Sequence, residues 1–530
     1  MLAASAKFKT ALFASASVIS ICACSVVQKA HAQTAPAPAA SGDALKTILD
    51  GAPGSITMAG LTVYGTLDVN AVYQNHGTPR SKYAAVALQY PLSANSNRSQ
   101  FQYGANGLSQ SFIGLKGEQK LGNLIPGDAL SPWSVGFDLQ AGFNPLTGQI
   151  ANGIKSVASA NGVPLREQDV VSDSSRAGQV FNGDALAYLK HKELGELKFG
   201  RQTTVAGDAI GQYDPQRSSY AFSPIGFFGA FAGGIGATEL VRWNNSLKYK
   251  NSFGPLRVSA QYRFEGGGQG GDAYAVGAGI DFTDSLKGLH IDGFWGHLSS
   301  GIVASPLSTP NCQALAPAGG CSSLDIVNAT VSKNDAFGVM ARYEISALTV
   351  YGGWQQITFS NGADYAGNMI QGGFLLNPLN GGSSINYFRN LTDRVQNVAW
   401  VGARYAFTSK VSGALGYYYI DQNNFLAGTT NSLGGLAAGS AATCQQATVT
   451  NQTVNAVRPT SDTRSTAGLN QTGSNCAGRS DVVSASVTYQ MTQRLDLYAG
   501  IQWFQTSGGL ASGFLNNSTI DPQIGARYRF

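Results

Sequence analysis

A period of two runs along this chain, and it limits the fold more than any other feature. In the closing segment Gln523, Gly525, Arg527 and Arg529 alternate with Ile524, Ala526, Tyr528 and Phe530. Successive side chains on a strand point to opposite faces. One face here is therefore apolar and aromatic-tipped, and the other carries two arginines. Strands can be read at about 61–73, 108–118, 132–143, 184–192, 196–202, 239–250, 255–265, 272–282, 287–298, 334–344, 347–358, 394–407, 410–422, 481–490, 493–505 and 519–530, sixteen in all. In 61–73, Leu61, Val63, Leu67, Val69 and Tyr73 oppose Thr62, Thr66, Asp68 and Asn70. In 239–250, Val241, Trp243, Leu247 and Tyr249 form the apolar face. The strands at 184–192 and 196–202 alternate too weakly to assign faces.

The connections sort by parity. Those after odd-numbered strands are long (74–107, 144–183, 203–238, 299–333, 359–393, 423–480), with 266–271 the short exception. Those after even-numbered strands are tight (193–195, 251–254, 345–346, 408–409, 491–492), with 119–131 the long exception. A soluble sandwich has no reason to sort its loops this way; a transmembrane barrel does, with short periplasmic turns and long external loops. The last strand would be an exposed edge unless paired, and pairing 519–530 with 61–73 closes the sheet. In hydrocarbon a closed sheet satisfies every backbone group. Sixteen strands enclose a lumen too wide for side chains to fill. The fold expected is all-β: a 16-stranded antiparallel transmembrane β-barrel over 59–530.

Composition agrees. Charged residues are 12% of the chain, about half the usual ~25%. Residues 1–32 read as a signal peptide, with Lys7 and Lys9 before an apolar stretch and Ala30-His31-Ala32 as the cleavage site. A lipoprotein signal at Cys24 competes poorly, because Ile21-Cys22-Ala23 lacks the usual Leu. Residues 33–58 form a Pro/Ala-rich linker. No later apolar run reaches 18 residues, so no transmembrane helix is expected. Removing Lys7, Lys9 and Lys29 leaves 32 basic against 30 acidic residues, a balance that gives no reason to expect nucleic acid. Cys312 with Cys321, and Cys444 with Cys476, are expected as loop disulfides in an oxidising compartment. A metal site is not expected there, since the spacings are wrong and no histidine is near.

The order and spacing of several stretches resemble the Gram-negative trimeric general porins, especially the β-proteobacterial type. These are LTVYGTLDVNAVY at 61–73, SQSFIGLKGEQKLG at 109–122, LKFGRQ at 197–202, RWNNSLKYKNSFGPLRVSAQY at 242–262 and the terminal ARYRF. The resemblance covers most of the mature chain. It implies a homotrimer in the outer membrane, in contact with lipid and lipopolysaccharide, with Phe530 read by the barrel-assembly machinery. It also implies a third loop, 203–238, folded into the lumen. Acidic loop residues, here Asp208 and Asp214 beside Arg217, would face basic wall residues across a constriction. Lys116, Arg201 and Arg242 match basic positions. Two departures stand out. Gly183, Asp184 and Ala185 precede Ala187-Tyr188 where the family carries a basic residue, so one constriction charge is missing or reversed. Ser223-Pro224-Ile225-Gly226 stands near the usual Pro-Glu-Phe-Gly tip.

Independently of any family, the alternation places Lys116, Arg242, Lys248, Lys250, Arg257, Arg263, Arg342, Arg394, Arg404, Arg494, Arg527 and Arg529 on the lumen face. Asp68, Glu265, Asp281, Asp292 and Asp496 join them. The basic excess predicts a mild anion preference. The mature chain has four histidines, His76, His191, His290 and His297, and none lies in a recognisable Ser or Asp motif. The function expected is passive diffusion of small hydrophilic solutes and ions, without catalysis or cofactor. A porin selective for one nutrient anion or sugar, and a surface adhesive barrel, are the alternatives. A TonB-type transporter needs a plug and about 22 strands, more than this chain supplies.

Overall fold

The computed structural model describes residues 56–58, 60–76, 99–123, 130–148, 150, 180–226, 233–236, 242–264, 272–304, 329–360, 372–376, 385–389, 392–425, 477–508, 510 and 517–530. Contacts divide the chain into Met1–Gly54 and Ser55–Phe530, and all described residues belong to the second unit. The signal peptide, most of the linker, Glu265 and the four loop cysteines lie outside them. No described helix is long and apolar enough to cross a membrane.

Sixteen staves build one antiparallel sheet. They are β1 (Leu61–Gln74), β2 in two segments (Gln100–Ala105 and Phe112–Lys120), β3 (Trp133–Gly142), β4 (Ala185–His191), β5 (Gly195–Thr203), β6 (Arg242–Phe253), β7 (Leu256–Arg263) and β8 (Ala273–Asp281). They continue as β9 (Leu289–Ala304), β10 (Ala329–Ile345), β11 (Leu348–Ser360), β12 (Arg394–Ala406), β13 (Val411–Gln422), β14 (Gly478–Gln490), β15 (Leu495–Gly508) and β16 (Ser518–Arg529). Each pairs with the next, and β16 returns to β1 from Thr66↔Arg529 to Val72↔Gln523. Gly65 and Phe530 complete the seam by exchanging backbone hydrogen bonds of 2.9 and 3.1 Å. Every expected strand is present.

The faces follow from the seam. On β1, Asp68, Asn70 and Val72 are buried inside, while Leu67 and Tyr73 are exposed outside. On β16, Gln523 is buried and Ile524 is 64% exposed. Exposure of large apolar groups recurs around the outer wall at Phe199, Val339, Val401 and Leu415, as a lipid-facing band requires. A charge on that band costs roughly 2–4 kcal/mol at the bilayer midplane. Val401→Arg is therefore expected to lower the urea midpoint for folding into lipid vesicles. An unchanged midpoint would mean that this face does not meet hydrocarbon.

The sheet departs from simple alternation in three places. β2 is interrupted at 106–111, where Asn106 takes a φ of 65°. Asp68 holds this excursion, accepting from the N–H groups of Gly107, Leu108 and Ser109 at 2.8–3.1 Å and from the Tyr498 hydroxyl at 2.6 Å. Between β5 and β6 the register slips after Gly200, with Asn245 at a φ of 47°. This bulge turns the start of β6 over. Trp243, expected outside, is fully buried inside the barrel. β9 bulges against β10 between Leu298 and Gly301, and both strands run further outward than the alternation alone indicated.

Candidate functional site

The site begins where β5 ends. Thr204 caps helix α1 (Val205–Tyr213), its side chain accepting from the Gly207 N–H at 3.0 Å. Asp208 in the first turn suits the positive end of the helix. Val205, Ala206, Ile210 and Tyr213 are buried, and they pack with Ile225 and Ile235 onto inward side chains of the wall. Those side chains include Trp243, Phe294, Met340, Ile357, Trp400 and Tyr418. A sector of the lumen wall is therefore apolar because a chain segment covers it, which hides an apolar core inside a water-filled barrel.

Polar bonds fix the path of this segment. The Val205 N–H donates to Gln261 at 3.0 Å, and Trp400 Nε1 donates to the Tyr213 carbonyl at 2.9 Å. Arg404 donates to the Pro215 carbonyl at 3.0 Å, and Ser486 donates to Gln216 at 2.7 Å. The Ala221 N–H and the Ser219 hydroxyl both reach the Gly107 carbonyl, at 2.8 and 3.0 Å. The excursion in β2 is thus the far abutment of the segment. Two inward glycines permit the close approach. A Cβ on Gly402 would lie 2.5 Å from Pro215 Cγ, and one on Gly500 would lie 2.7 Å from the Phe222 ring.

The expected charged residues divide into three groups. Asp208 sits between Lys248, at 2.9 Å, and Lys250. Burial pushes its carboxyl upward, but the two lysines outweigh that and hold it below the ordinary carboxylate value. The expectation of an acid facing bases across the lumen is corrected here: its partners stand on β6, beside the root of the loop. Asp214 is fully buried. It accepts from Tyr418 at 2.6 Å and from the N–H groups of Gln216 and Ser218 at 3.1 and 2.8 Å. Burial pushes its carboxyl above the ordinary value, and these bonds hold back part of the rise. Asp214 thus anchors the segment and presents no charge to the channel.

A second group is engaged in the wall. Arg201 is buried and donates to the carbonyls of Asn182 and Gly183 at 3.2 and 3.0 Å. Arg242 pairs with Asp184 at 2.6 Å, so the acid noted as a departure in the sequence has a partner. Arg257 pairs with Asp281 and, at 3.0 Å, with Asp292, and reaches the Tyr213 hydroxyl at 3.2 Å. Lys248 also holds the Thr203 carbonyl at 2.6 Å. Arg263 lies buried with its guanidinium 5.9 Å from the Trp243 ring. Arg342 lies over Tyr213 at 5.6 Å and 3.4 Å from Glu344.

A third group meets the open lumen. Lys116 is exposed, with Nζ 4.7 Å above the Tyr64 ring. Arg217 is exposed at a φ of 52° and near enough to Arg404 to repel it. Sequence reasoning missed Tyr418, Trp400, Gln216 and Gln261 as anchors. The signal available was the run of bulky apolar residues at inward positions of β9 to β15. Among the described residues no cluster of His, Cys, Asp and Glu could hold a metal ion.

A family model described as Gram-negative porin matches residues 16–509. The chain belongs to that family. As a member of it the chain is a multi-pass protein of the Gram-negative outer membrane. It is 28% identical over 222 residues to an outer membrane porin protein of Bordetella pertussis, across 40% of this chain and 45% of that relative. The match to that curated relative thus spans less than half its length. The anion-selective porin from Comamonas acidovorans has the same fold, at a TM-score of 0.51 and 16% identity over 89% of this chain and 99% of that one. The Salmonella typhi OmpF structure compares at a TM-score of 0.45 and 14% identity, over 90% of this chain and 100% of its own.

Proposed function

We propose that this porin is a homotrimeric channel for passive diffusion of small hydrophilic solutes and ions, with a mild anion preference. The observation that carries the preference is how the acids are used. Asp208, Asp184, Asp281, Asp292 and Asp496 are each bound by basic side chains, and Asp214 is sealed from water. Lys116 and Arg217 are exposed to the lumen, Arg217 near Arg404. Rings of like charge set pore selectivity, so the field along the open passage favours anions. The Comamonas acidovorans porin of this fold is anion-selective, which is consistent with this reading. Transport by this route needs no chemical step and no cofactor. The reading includes export by the 1–32 signal, disulfides Cys312–Cys321 and Cys444–Cys476, contact with lipopolysaccharide, and use of Phe530 by the assembly machinery.

Reversal potential across a planar bilayer in a salt gradient tests the selectivity. Wild type should reverse on the anion side, and reversal on the cation side would end the proposal. Silent bilayers would remove the channel itself. Asp208→Asn should move the potential further toward anions, because it frees Lys248 and Lys250 from their shared carboxylate. Because Asp208 titrates below the ordinary carboxylate value, its contribution is present at neutral pH. It should be lost only as pH falls through that lowered value. A potential unmoved by Asp208→Asn would show that the β6 lysines do not act on passing ions.

A further inference from the structure

The outer face of β8, β9 and β10 carries a polar cluster that the pore does not use. His297 on β9 stands opposite Tyr274 on β8 and Asp335 on β10. Its neighbour Leu298 is buried in the lumen core, and Trp295 two residues earlier is 42% exposed outside, so His297 faces outward. His297 Nδ1 lies 2.7 Å from Asp335 Oδ1, and Tyr274 stacks on the imidazole at 4.9 Å and 22°. Ser299 Oγ is 3.5 Å from His297 Nε2. Its hydroxyl donates to Asp272 Oδ1 at 2.8 Å, and its N–H donates to the Asp272 carbonyl at 3.1 Å. A nucleophile within reach of a base, and that base oriented by a third group, is the geometry of nucleophilic catalysis. It is recognised by arrangement and not by order along the chain.

Position adds a second argument. The cluster lies on the rung beyond an outer aromatic band, where Trp295 and Phe337 are exposed and Tyr274 lies 5.4 Å from Trp295. It is also at the end of β9 and β10 that leads into the long connection 305–328. Aromatic girdles mark the membrane–water interface. The β9 bulge falls at this point, and a bulge leaves its extra residue outside the ladder and re-aims side chains.

We propose that Ser299, His297 and Asp335 form an acyl-ester hydrolase site on the outer wall, acting on carboxylic esters of membrane lipids. Asp335 holds the imidazole with its proton on Nδ1, leaving Nε2 as the base. Rotation of Ser299 away from Asp272 brings its hydroxyl to Nε2. The oxygen attacks the ester carbonyl carbon while its proton passes to His297. A tetrahedral oxyanion forms at the former carbonyl oxygen. The ester C–O bond then breaks, and His297 returns the proton to the departing alcohol. Water, deprotonated by His297, attacks the acyl-serine. That C–O bond breaks in turn, releasing the fatty acid and restoring the Ser299 hydroxyl.

The test uses the full-length protein purified in detergent, with a fluorophosphonate probe and p-nitrophenyl butyrate. The probe should label Ser299, located by peptide mass spectrometry, and wild type should hydrolyse the ester. S299A and H297A should lower hydrolysis by about 100-fold or more, and D335N by about tenfold or more. Single-channel conductance should stay that of wild type, which shows each variant folded and separates this site from the pore. Wild-type protein that takes no more label and hydrolyses no faster than S299A prepared alongside it overturns the proposal.

Discussion

Asp214→Ala is expected to raise single-channel conductance and open-state current noise while leaving the barrel folded. The carboxylate is the hub of the lumen segment: one oxygen takes the Tyr418 hydroxyl and the Gln216 N–H, the other the Ser218 N–H. Tyr418 is fully buried, so the substitution takes the acceptor from a buried hydroxyl and from two backbone donors. An orphaned buried group costs about 1–3 kcal/mol, and three together outweigh any one remaining tie. Those ties include the Trp400–Tyr213, Arg404–Pro215 and Gln216–Ser486 bonds and the contacts of Ser219 and Ala221 with Gly107. The segment should then leave the wall for part of the time. Asp214→Asn, which keeps one acceptor, should give a smaller change. Heat-resistant migration on a gel controls for folding. Wild-type conductance and noise in Asp214→Ala would show that the apolar face of α1 holds the segment unaided.

The second large effect is expected at the seam. Asp496→Leu should reduce the heat-resistant folded fraction and lower the urea midpoint. Asp496 is nearly inaccessible, at 4% exposure, and takes Arg527 at 2.8 Å and Arg529 at 2.9 Å. Removing it leaves two like charges on alternate residues of the strand that closes the barrel. Breaking a buried pair costs about 3–5 kcal/mol. The loss should fall at the low end of that range, because the Arg527 and Arg529 side chains are 21% and 38% exposed and water screens part of it. Adding Arg527→Leu should recover part of the midpoint, since the two changes share one interaction. A double variant as weak as the sum of the singles would place the stability of the seam elsewhere.

Strand number, closure and lipid face were legible because they depend on a period of two that each strand carries within itself. Leu67 against Asp68, and Ile524 against Gln523, announce their faces whatever lies opposite. The lumen was less legible. Trp243 looked like a lipid-facing residue because a bulge at Asn245 changes parity without leaving a mark in the local pattern. Asp208 and Asp214 were both expected to face basic wall residues across the channel. Whether an acid faces water or a tyrosine depends on where a loop lands, and that is decided by partners such as Tyr418, 204 residues away in sequence. Asp335 escaped linear motifs for the same reason, since it meets His297 only across the register between β9 and β10.

The sequence by itself determined a closed sixteen-stranded barrel with an apolar outer wall, because hydrocarbon outside and hydrogen-bond closure within leave an alternating chain few other solutions. Only the tertiary structure decided that the described part of the third loop packs on wall side chains from β6 to β15, that Lys248 and Lys250 neutralise Asp208, and that Asp214 is a buried anchor. Those outcomes rest on contacts between residues far apart in the chain, and local periodicity carries no record of which distant side chains will meet.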